Sequence, residues 1–209
     1  MRAKWIHKPH HGKVLMNRSE TDLPNSEEWR SVLTAVQGID IRAIPPTRTH
    51  KGFVAYTDGA CLNNPGGPAG WSALLWLALD SADGHVRKGV PCIECYGYIP
   101  LAPTTTNNRA EIAAVLAALS LAPPALPLTI YSDSEYVIKV AQGEYKMTKN
   151  PDLWEIYRKL ERSRREPPLF LWVAGHTGHP HNDRADELAG LGAFNGDRTA
   201  YEKWRADHR

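Results

Sequence analysis

Two β-rich runs, residues 53–58 and 128–133, each end on an aspartate, and an alanine-rich helical pattern lies between them. A strand–helix–strand unit of this kind can pair its two strands in parallel. The carboxyl ends of parallel strands meet at one edge of a sheet, where open α/β folds usually bind their ligands. We therefore expect Asp58 and Asp133 to emerge at the same edge.

The order of the elements predicts the rest of the sheet. Residues 70–78 and about 93–100 are further strand candidates, which with 53–58 form a three-stranded antiparallel meander, and residues 169–173 form a fifth strand. The order βββαβααβα predicts an α/β fold: a five-stranded mixed sheet, the meander plus two parallel strands, flanked by helices. Taken alone, Asp58-Gly59 is more typical of a hairpin turn than of a functional site.

The first helix after the meander carries a further acidic residue, Glu111. Several helix caps at residues 104–108 precede an apolar periodicity that two prolines at 123 and 124 end, so Glu111 is expected in the first turn, where the helix dipole favours a carboxylate. Short helices are predicted at about 134–142 and 152–165. A loop over 175–182 then leads into a final helix that carries Asp183 and Asp186.

Bulk composition limits the class of protein. A chain of 209 residues suits one domain with extensions, and no apolar run is long enough to span a bilayer. The net charge of +2 permits nucleic-acid binding without requiring it. Three cysteines are too few for a disulfide scaffold, which indicates a reducing compartment, here cytoplasmic. Cys92 and Cys95 have C-x-x-C spacing, but in a strand their side chains point to opposite faces, so a structural role is favoured over metal or redox chemistry.

Residues 1–50 differ from the rest of the chain. A basic, histidine-bearing start is interpreted as a solvated tail, with metal or nucleic-acid binding as the alternative. A short amphipathic helix is predicted from Ser26 to Gly38, and a brief strand over 39–44. We thus predict an extension at 1–50, a catalytic domain at 51–193 and a basic tail or helix at 194–209.

Four acids, Asp58, Glu111, Asp133 and Asp186, can converge at one end of this sheet. Without a cation they would repel one another, and a divalent metal makes such a cluster tolerable. The ligands are hard oxygen donors, which suit Mg²⁺, with Mn²⁺ as a substitute. Two such ions about 4 Å apart can promote phosphodiester hydrolysis. The alternative is four independent solvated or capping acids.

Four sequence blocks resemble the motifs of type 1 ribonuclease H, in the family's order and over about residues 52–193. They are Thr57-Asp58-Gly59-Ala60-Cys61-Leu62-Asn63-Asn64-Pro65-Gly66, Thr105-Thr106-Asn107-Asn108-Arg109-Ala110-Glu111, Tyr131-Ser132-Asp133-Ser134-Glu135, and Gly175-His176-Thr177-Gly178-His179-Pro180 continuing to Ala185-Asp186-Glu187-Leu188-Ala189. The resemblance implies a ribonuclease H-like fold. It also implies an endonuclease that cuts the RNA strand of RNA–DNA hybrids by two-metal-ion catalysis and leaves 3′-hydroxyl and 5′-phosphate ends.

The resemblance also implies roles for individual residues. Asp58, Glu111, Asp133 and Asp186 match the metal-binding carboxylates, and His176 matches a loop histidine that assists water activation or product release. Asp183 competes with Asp186 for the fourth position, and the family spacing favours Asp186. The alternative for His176, His179 and His181 is a polar surface loop.

Substrate-binding residues are carried over in the same way. Asn64, Asn107 and Asn108 match residues that contact the minor groove of the hybrid, Thr106 and Asn150 match a pocket for a DNA-strand phosphate, and Arg109 matches an arginine near the active-site helix. Their alternatives are turn, cap and surface salt-bridge roles. Thr104 stands where some members have an arginine, and Glu135 where bacterial members commonly have glutamine.

The largest departure from the family is at residues 140–150. Many members carry a basic, tryptophan-rich helix there. This segment has only two basic residues, Lys146 and Lys149, and one aromatic residue, Tyr145. Either hybrid binding is weaker, or the basic N-terminal tail or the C-terminal basic residues compensate; the latter are Arg198, Lys203, Arg205 and Arg209.

Two alternative functions agree less well with the sequence. A different nuclease or integrase of the same superfamily would not explain the paired asparagines before Glu111. A catalytically silent binding module would be expected to lack a carboxylate, and all four are present. The expected partner is an RNA–DNA hybrid, with no membrane association, and the expected state is a monomer.

Overall fold

The computed structural model describes residues 26–37, 39, 52–78 and 92–208. These residues form five strands and six helices, whose order along the chain is α1, β1–β3, α2, β4, α3, α4, β5, α5 and α6. Their bounds are α1 Glu27–Gln37, β1 Gly52–Cys61, β2 Ala69–Ala78, β3 Cys92–Ile99, α2 Asn107–Leu121, β4 Leu128–Ser132, α3 Glu135–Ala141, α4 Pro151–Arg162, β5 Leu169–Trp172, α5 Pro180–Ala193 and α6 Arg198–Asp207.

The five strands form one mixed sheet in the order β3-β2-β1-β4-β5. The β1–β2 and β2–β3 pairs are antiparallel, whereas β1–β4 and β4–β5 are parallel. The predicted fold class is therefore confirmed, including the meander and the parallel pairing across α2. Because β1 and β4 run in the same direction, both deliver their chain to the same edge of the sheet.

Helices cover both faces of the sheet. On one face α2 is buried almost all round, and it packs with α1, α3 and α4 over side chains such as Ala55, Leu75 and Ile130. A helix that is apolar on every side is typical of a core position. On the other face α5 and α6 cover a smaller cluster that includes Tyr56 and Trp76.

Strand β1 is longer than the sequence predicted. It continues past Asp58 to Cys61, because the antiparallel hairpin with β2 goes on pairing as far as Cys61 and Ala69. Its parallel pairing with β4 ends earlier, at Tyr56 and Tyr131. Asp58 therefore lies within a strand rather than at its end, but beyond the last residue that β4 covers.

The predicted amphipathic helix near the N-terminus is present as α1. The Ser26 hydroxyl accepts a hydrogen bond from the Trp29 amide, as expected of a helix cap. Trp29, Val32 and Val36 are buried in the main core, and α1 packs against α2 and β3.

The basic start of the chain lies outside the described residues, as does the predicted strand over 39–44 apart from Ile39, which is not in a strand. The division of the chain into domains stays a prediction. Among the described helices, none is long and apolar enough to cross a membrane.

Candidate metal centre and nucleic-acid interface

Asp58 is held where β1 meets the first turns of α2. The side chain is 6% exposed. The next residue is glycine for a steric reason: a Cβ on Gly59 would clash with the backbone of Ala110 and Glu111. This close approach brings the helix, and with it Glu111, next to Asp58.

Glu111 lies one residue beyond the first turn of α2, so the predicted first-turn position is wrong. The helix begins only at Asn107, with Thr106 as its N-cap, whereas several earlier residues could have served as the cap. The Glu111 side chain is 4% exposed, and its Oε2 has no hydrogen-bond partner. A buried oxygen in this state is costly unless a further partner binds it.

Asp133 follows β4 directly and completes a cluster of three carboxylates. One oxygen from each of Asp58, Glu111 and Asp133 lies within 4.8 Å of the others. Asp186 on α5 lines the same cavity of about 470 Å³, and its Oδ2 is 3.9 Å from Nδ1 of His176. The structure thus brings together all four predicted acids and the predicted histidine.

Asp183 lies on the same helix as Asp186 but is exposed and does not line the cavity. The Nδ1 of His179 accepts a hydrogen bond from the Asn182 amide, so His179 caps α5. Helix α5 therefore starts at Pro180, earlier than expected. His181 packs against Tyr56 and Trp76 on the other face of the sheet, so neither histidine is a simple surface residue.

The carboxylate cluster is electrostatically unfavourable in the free protein. Burial, followed by the charges of Asp133 and Asp186, raises the pKa of Asp58 well above its usual value. Burial and the charges of Asp58 and Asp133 do the same to the pKa of Glu111, while hydrogen bonding by the Gly59 amide opposes both shifts. Burial also raises the pKa of Asp186, against the opposing charges of His176 and Arg205. In the described part of the chain, no lysine or arginine forms an ion pair with Asp58, Glu111 or Asp133.

These residues fit a divalent cation. The donors are carboxylate oxygens, one of them buried without a partner, and their mutual repulsion would be relieved by positive charge. Hard oxygen ligands of this kind suit Mg²⁺ or Mn²⁺ rather than Zn²⁺.

One of the predicted asparagines lines this site, and a second is hydrogen-bonded to it. The Asn64 Oδ1 accepts a hydrogen bond from the Asn107 amide at 3.1 Å, which ties the β1–β2 loop to the start of α2. Asn107 lines the cavity and Asn108 is exposed. The turn and cap roles weighed for these residues are therefore present for Asn64 and for Thr106, whose hydroxyl accepts from the Arg109 amide.

Arg109 and Asn150 lie on the side of α2 that faces α1 and α4, away from the carboxylate cluster. The Arg109 guanidinium is paired with both oxygens of Glu28, at 2.5 and 3.0 Å, and with Asp152. Its Nη1 also donates to Oδ1 of Asn150, at 3.3 Å. The salt-bridge alternative for Arg109 is thus present, although the pair is largely buried rather than at the surface. The substrate roles of Arg109 and Asn150 stay predictions.

Sequence reasoning missed the contribution of α6 to the cavity wall. Trp204, on α6, lines the cavity together with Asp58, Glu111, Asp133, His176 and Asp186. The available signal was the spacing of Tyr201, Trp204, Arg205 and His208, which places them on one side of a helix.

The remaining expectations concern the surface and the cysteines. No helix lies between α3 and α4, where many family members carry a basic helix. The exposed Tyr145 ring of this segment lies under the Lys139 ammonium. Glu135 pairs with Lys139. Cys95 is a free thiol buried in the core, as expected for a structural residue.

Comparison with known proteins agrees with this geometry. The family model for RNase H matches residues 50–194. Ribonuclease H of Polaromonas sp. (strain JS666) is 40% identical over 159 residues, which cover 70% of this chain and 91% of that protein. Ribonuclease HI of Caulobacter vibrioides is 38% identical over 151 residues, which cover 66% and 89%.

Solved structures give the same result. RNase H1 of Halobacterium salinarum is 31% identical, with a TM-score of 0.52 over 67% of this chain and 96% of that one. LC11-RNase H1, solved in complex with an RNA/DNA hybrid, is 27% identical, with a TM-score of 0.51 over 68% and 96%. The chain described here belongs to the type 1 ribonuclease H family.

Proposed function

We propose that this protein cleaves the RNA strand of RNA–DNA hybrids with two divalent cations, Mg²⁺ in the cell, and leaves 3′-hydroxyl and 5′-phosphate ends. The observation that carries the proposal is the buried, uncompensated carboxylate cluster in a protein of the ribonuclease H family. A relative bound to an RNA/DNA hybrid supports the choice of substrate.

The four carboxylates of the site are proposed to bind the cations. Asp58, Glu111, Asp133 and Asp186 would hold the cations, with Asp58 and Asp133 as the shared ligands. When bound, the cations would activate the attacking water and stabilise the leaving oxygen. The repulsion among the carboxylates makes the free site unstable and so favours cation binding.

His176 is suited to moving a proton at the mouth of the site. Its side chain is 80% exposed, and its Nδ1 lies 3.9 Å from Oδ2 of Asp186, so the imidazole reaches both solvent and a carboxylate of the site. Its left-handed backbone, with φ of 54°, holds the ring on the cavity side of the loop before α5.

Recognition of the hybrid is assigned to the other predicted residues. Asn107 lines the cavity, Asn64 is hydrogen-bonded to its amide, and Asn108 is the next, exposed residue of α2. The side-chain amides of all three are proposed to meet base edges and ribose 2′-hydroxyls, the groups that distinguish RNA from DNA. Thr106 and Asn150 are proposed to bind a DNA-strand phosphate near Arg109. A monomeric, cytoplasmic protein is also proposed; the free thiols of Cys61 and Cys95 are in keeping with a reducing compartment.

The test is cleavage of a labelled RNA–DNA hybrid in Mg²⁺, with double-stranded RNA, double-stranded DNA and single strands as controls. We expect cleavage of the hybrid RNA alone and loss of activity in Asp58→Asn. Asp186→Asn and Asp183→Asn form a matched pair on one helix, and only the former should lose activity, by more than about 100-fold. Cleavage of duplex DNA, or full activity in Asp58→Asn, would contradict the proposal.

A further inference from the structure

One wall of the catalytic cavity comes from α6, outside the segment matched by the family model. Trp204 on this helix lines the cavity together with the four acids. The matched segment ends at residue 194, ten positions earlier. The cavity wall at Trp204 is therefore a feature of this chain's C-terminal helix.

The position of Trp204 is fixed by packing. Tyr201, one turn earlier, is buried against α5, where a Cβ on Gly190 would lie 2.7 Å from its ring. Phe194 contacts both Tyr201 and Trp204, with ring centroids 5.9 Å apart in each case. His208 stacks on the indole at 4.7 Å. These contacts orient the indole without burying it.

The indole N–H of Trp204 differs from those of Trp71 and Trp154 in being available as a donor. Trp71 donates to Ser31 and Trp154 donates to Tyr136, as buried tryptophans usually do. Trp204 is partly exposed, and within the described residues no acceptor is recorded for its N–H. It therefore presents a flat apolar face and an available donor at the rim of an acidic cavity.

Arg205 adds positive charge beside the indole. It follows Trp204 directly on α6, is exposed, and forms no ion pair within residues 92–208 or the other described ranges. Arg198, on the same helix, is instead paired with Glu187 and Glu202. Lys203 lies two positions from Arg205, about 200° around the helix, and so on the opposite side.

We propose that Trp204 and Arg205 form a hybrid-binding contact at the mouth of the catalytic cavity. The indole packs on the sugar and base edge of a nucleotide next to the scissile phosphate, and Arg205 contacts a neighbouring phosphate. This inference rests on the proposed function, because it takes the hybrid as the ligand. Arg205 would then be the C-terminal basic residue that replaces part of the hybrid-binding charge missing from the segment between α3 and α4.

Two matched pairs of variants test the contact. Trp204→Ala is compared with Trp172→Ala, since Trp172 is also exposed but does not line the cavity. Arg205→Ala is compared with Lys203→Ala. Hybrid affinity is measured by fluorescence anisotropy in EDTA over a series of salt concentrations, and KM and kcat are measured in Mg²⁺.

Loss of the stacking surface should weaken hybrid binding about tenfold in Trp204→Ala and raise KM with little change in kcat. Arg205→Ala should lower the slope of log affinity against log salt by about 0.9. Trp172→Ala and Lys203→Ala should bind like the wild type. Melting temperatures show whether the variants are folded.

If Trp204→Ala is unstable, Trp204→Leu keeps the apolar contact with Phe194 and should show the same loss of affinity. Unchanged affinity and KM in a folded Trp204→Leu, with an active wild type, would overturn this inference and leave the proposed function intact. A wild type that neither binds nor cleaves the hybrid would instead overturn the proposed function and this inference together.

Discussion

Two acidic clusters lie on opposite sides of the start of helix α2, and they balance their charge differently. Arg109 and Glu111 are two residues apart, so their side chains point about 200° apart around the helix. On the Arg109 side, Glu28 and Asp152 share a guanidinium. On the Glu111 side, Asp58 and Asp133 meet a third carboxylate with no protein cation among the described residues.

This difference indicates which acidic residues stabilise the fold and which form a functional site. Burial alone would raise the pKa of Asp152, but Arg109 lowers it, so Arg109 and Asp152 form an ion pair between α2 and α4. Glu28 on α1 binds the same guanidinium. Burial and like charge raise the pKa of Glu111 and Asp58. A cluster that the fold leaves unbalanced at such cost is a candidate functional site.

The largest expected effect is on the stability of the protein when the balanced cluster is disrupted. We use this name for Arg109, Glu28 and Asp152, in which a guanidinium offsets the carboxylates. Arg109→Met would leave Glu28 buried without its partner, so we expect a loss of about 3 kcal/mol in the free energy of unfolding. Urea denaturation measures this loss. The double variant Glu28→Gln/Arg109→Met should recover much of it, because the uncompensated charge is removed. A loss below about 1 kcal/mol in Arg109→Met would show that the pair is only peripheral.

A smaller effect is expected in the pH dependence of the metal-free protein. A carboxyl whose pKa is raised on folding stabilises the native state fully below its unfolded pKa, and that stabilisation is lost as pH rises through the folded pKa. Asp58 and Glu111 should therefore lower stability as pH rises above the ordinary values of 3.8 and 4.5. Glu111→Gln should reduce this loss, measured as the melting temperature in EDTA from about pH 5 to about pH 8.

The balanced cluster should show the opposite sign. The pKa of Asp152 is lowered, so its contribution is present above its unfolded pKa and is lost as pH falls through the folded value. Asp152→Asn should therefore reduce the stability of the protein least under acidic conditions.

Equal pH profiles of the melting temperature for Glu111→Gln and the wild type would contradict the claim that Glu111 is buried among like charges.

Much of the fold and of this comparison follows from the sequence. The strand order and the convergence of Asp58, Glu111, Asp133 and Asp186 follow from chain order, hydrophobic periodicity and the parallel crossover. These signals are local or topological. They do not determine how far β1 extends, because that depends on pairing with β2 beyond the end of β4.

The contacts that sequence reasoning missed are long-range side-chain contacts. Glu28 and Arg109 are 81 positions apart, and no periodicity or motif links them. The same holds for Trp204, whose approach to the cavity depends on the packing of Tyr201 on Gly190. Such contacts arise only when separate elements dock, so they need the folded structure.

We expect the cluster of Asp58, Glu111 and Asp133 to bind divalent cations, and the cluster of Arg109, Glu28 and Asp152 not to bind them. Isothermal titration calorimetry of Mg²⁺ into the wild type, Glu111→Gln and Asp152→Asn tests it most directly, because the two variants remove one negative charge from opposite sides of α2. We expect Mg²⁺ to bind to the wild type and to Asp152→Asn, and not to Glu111→Gln. Binding to Glu111→Gln as tight as to the wild type would contradict it.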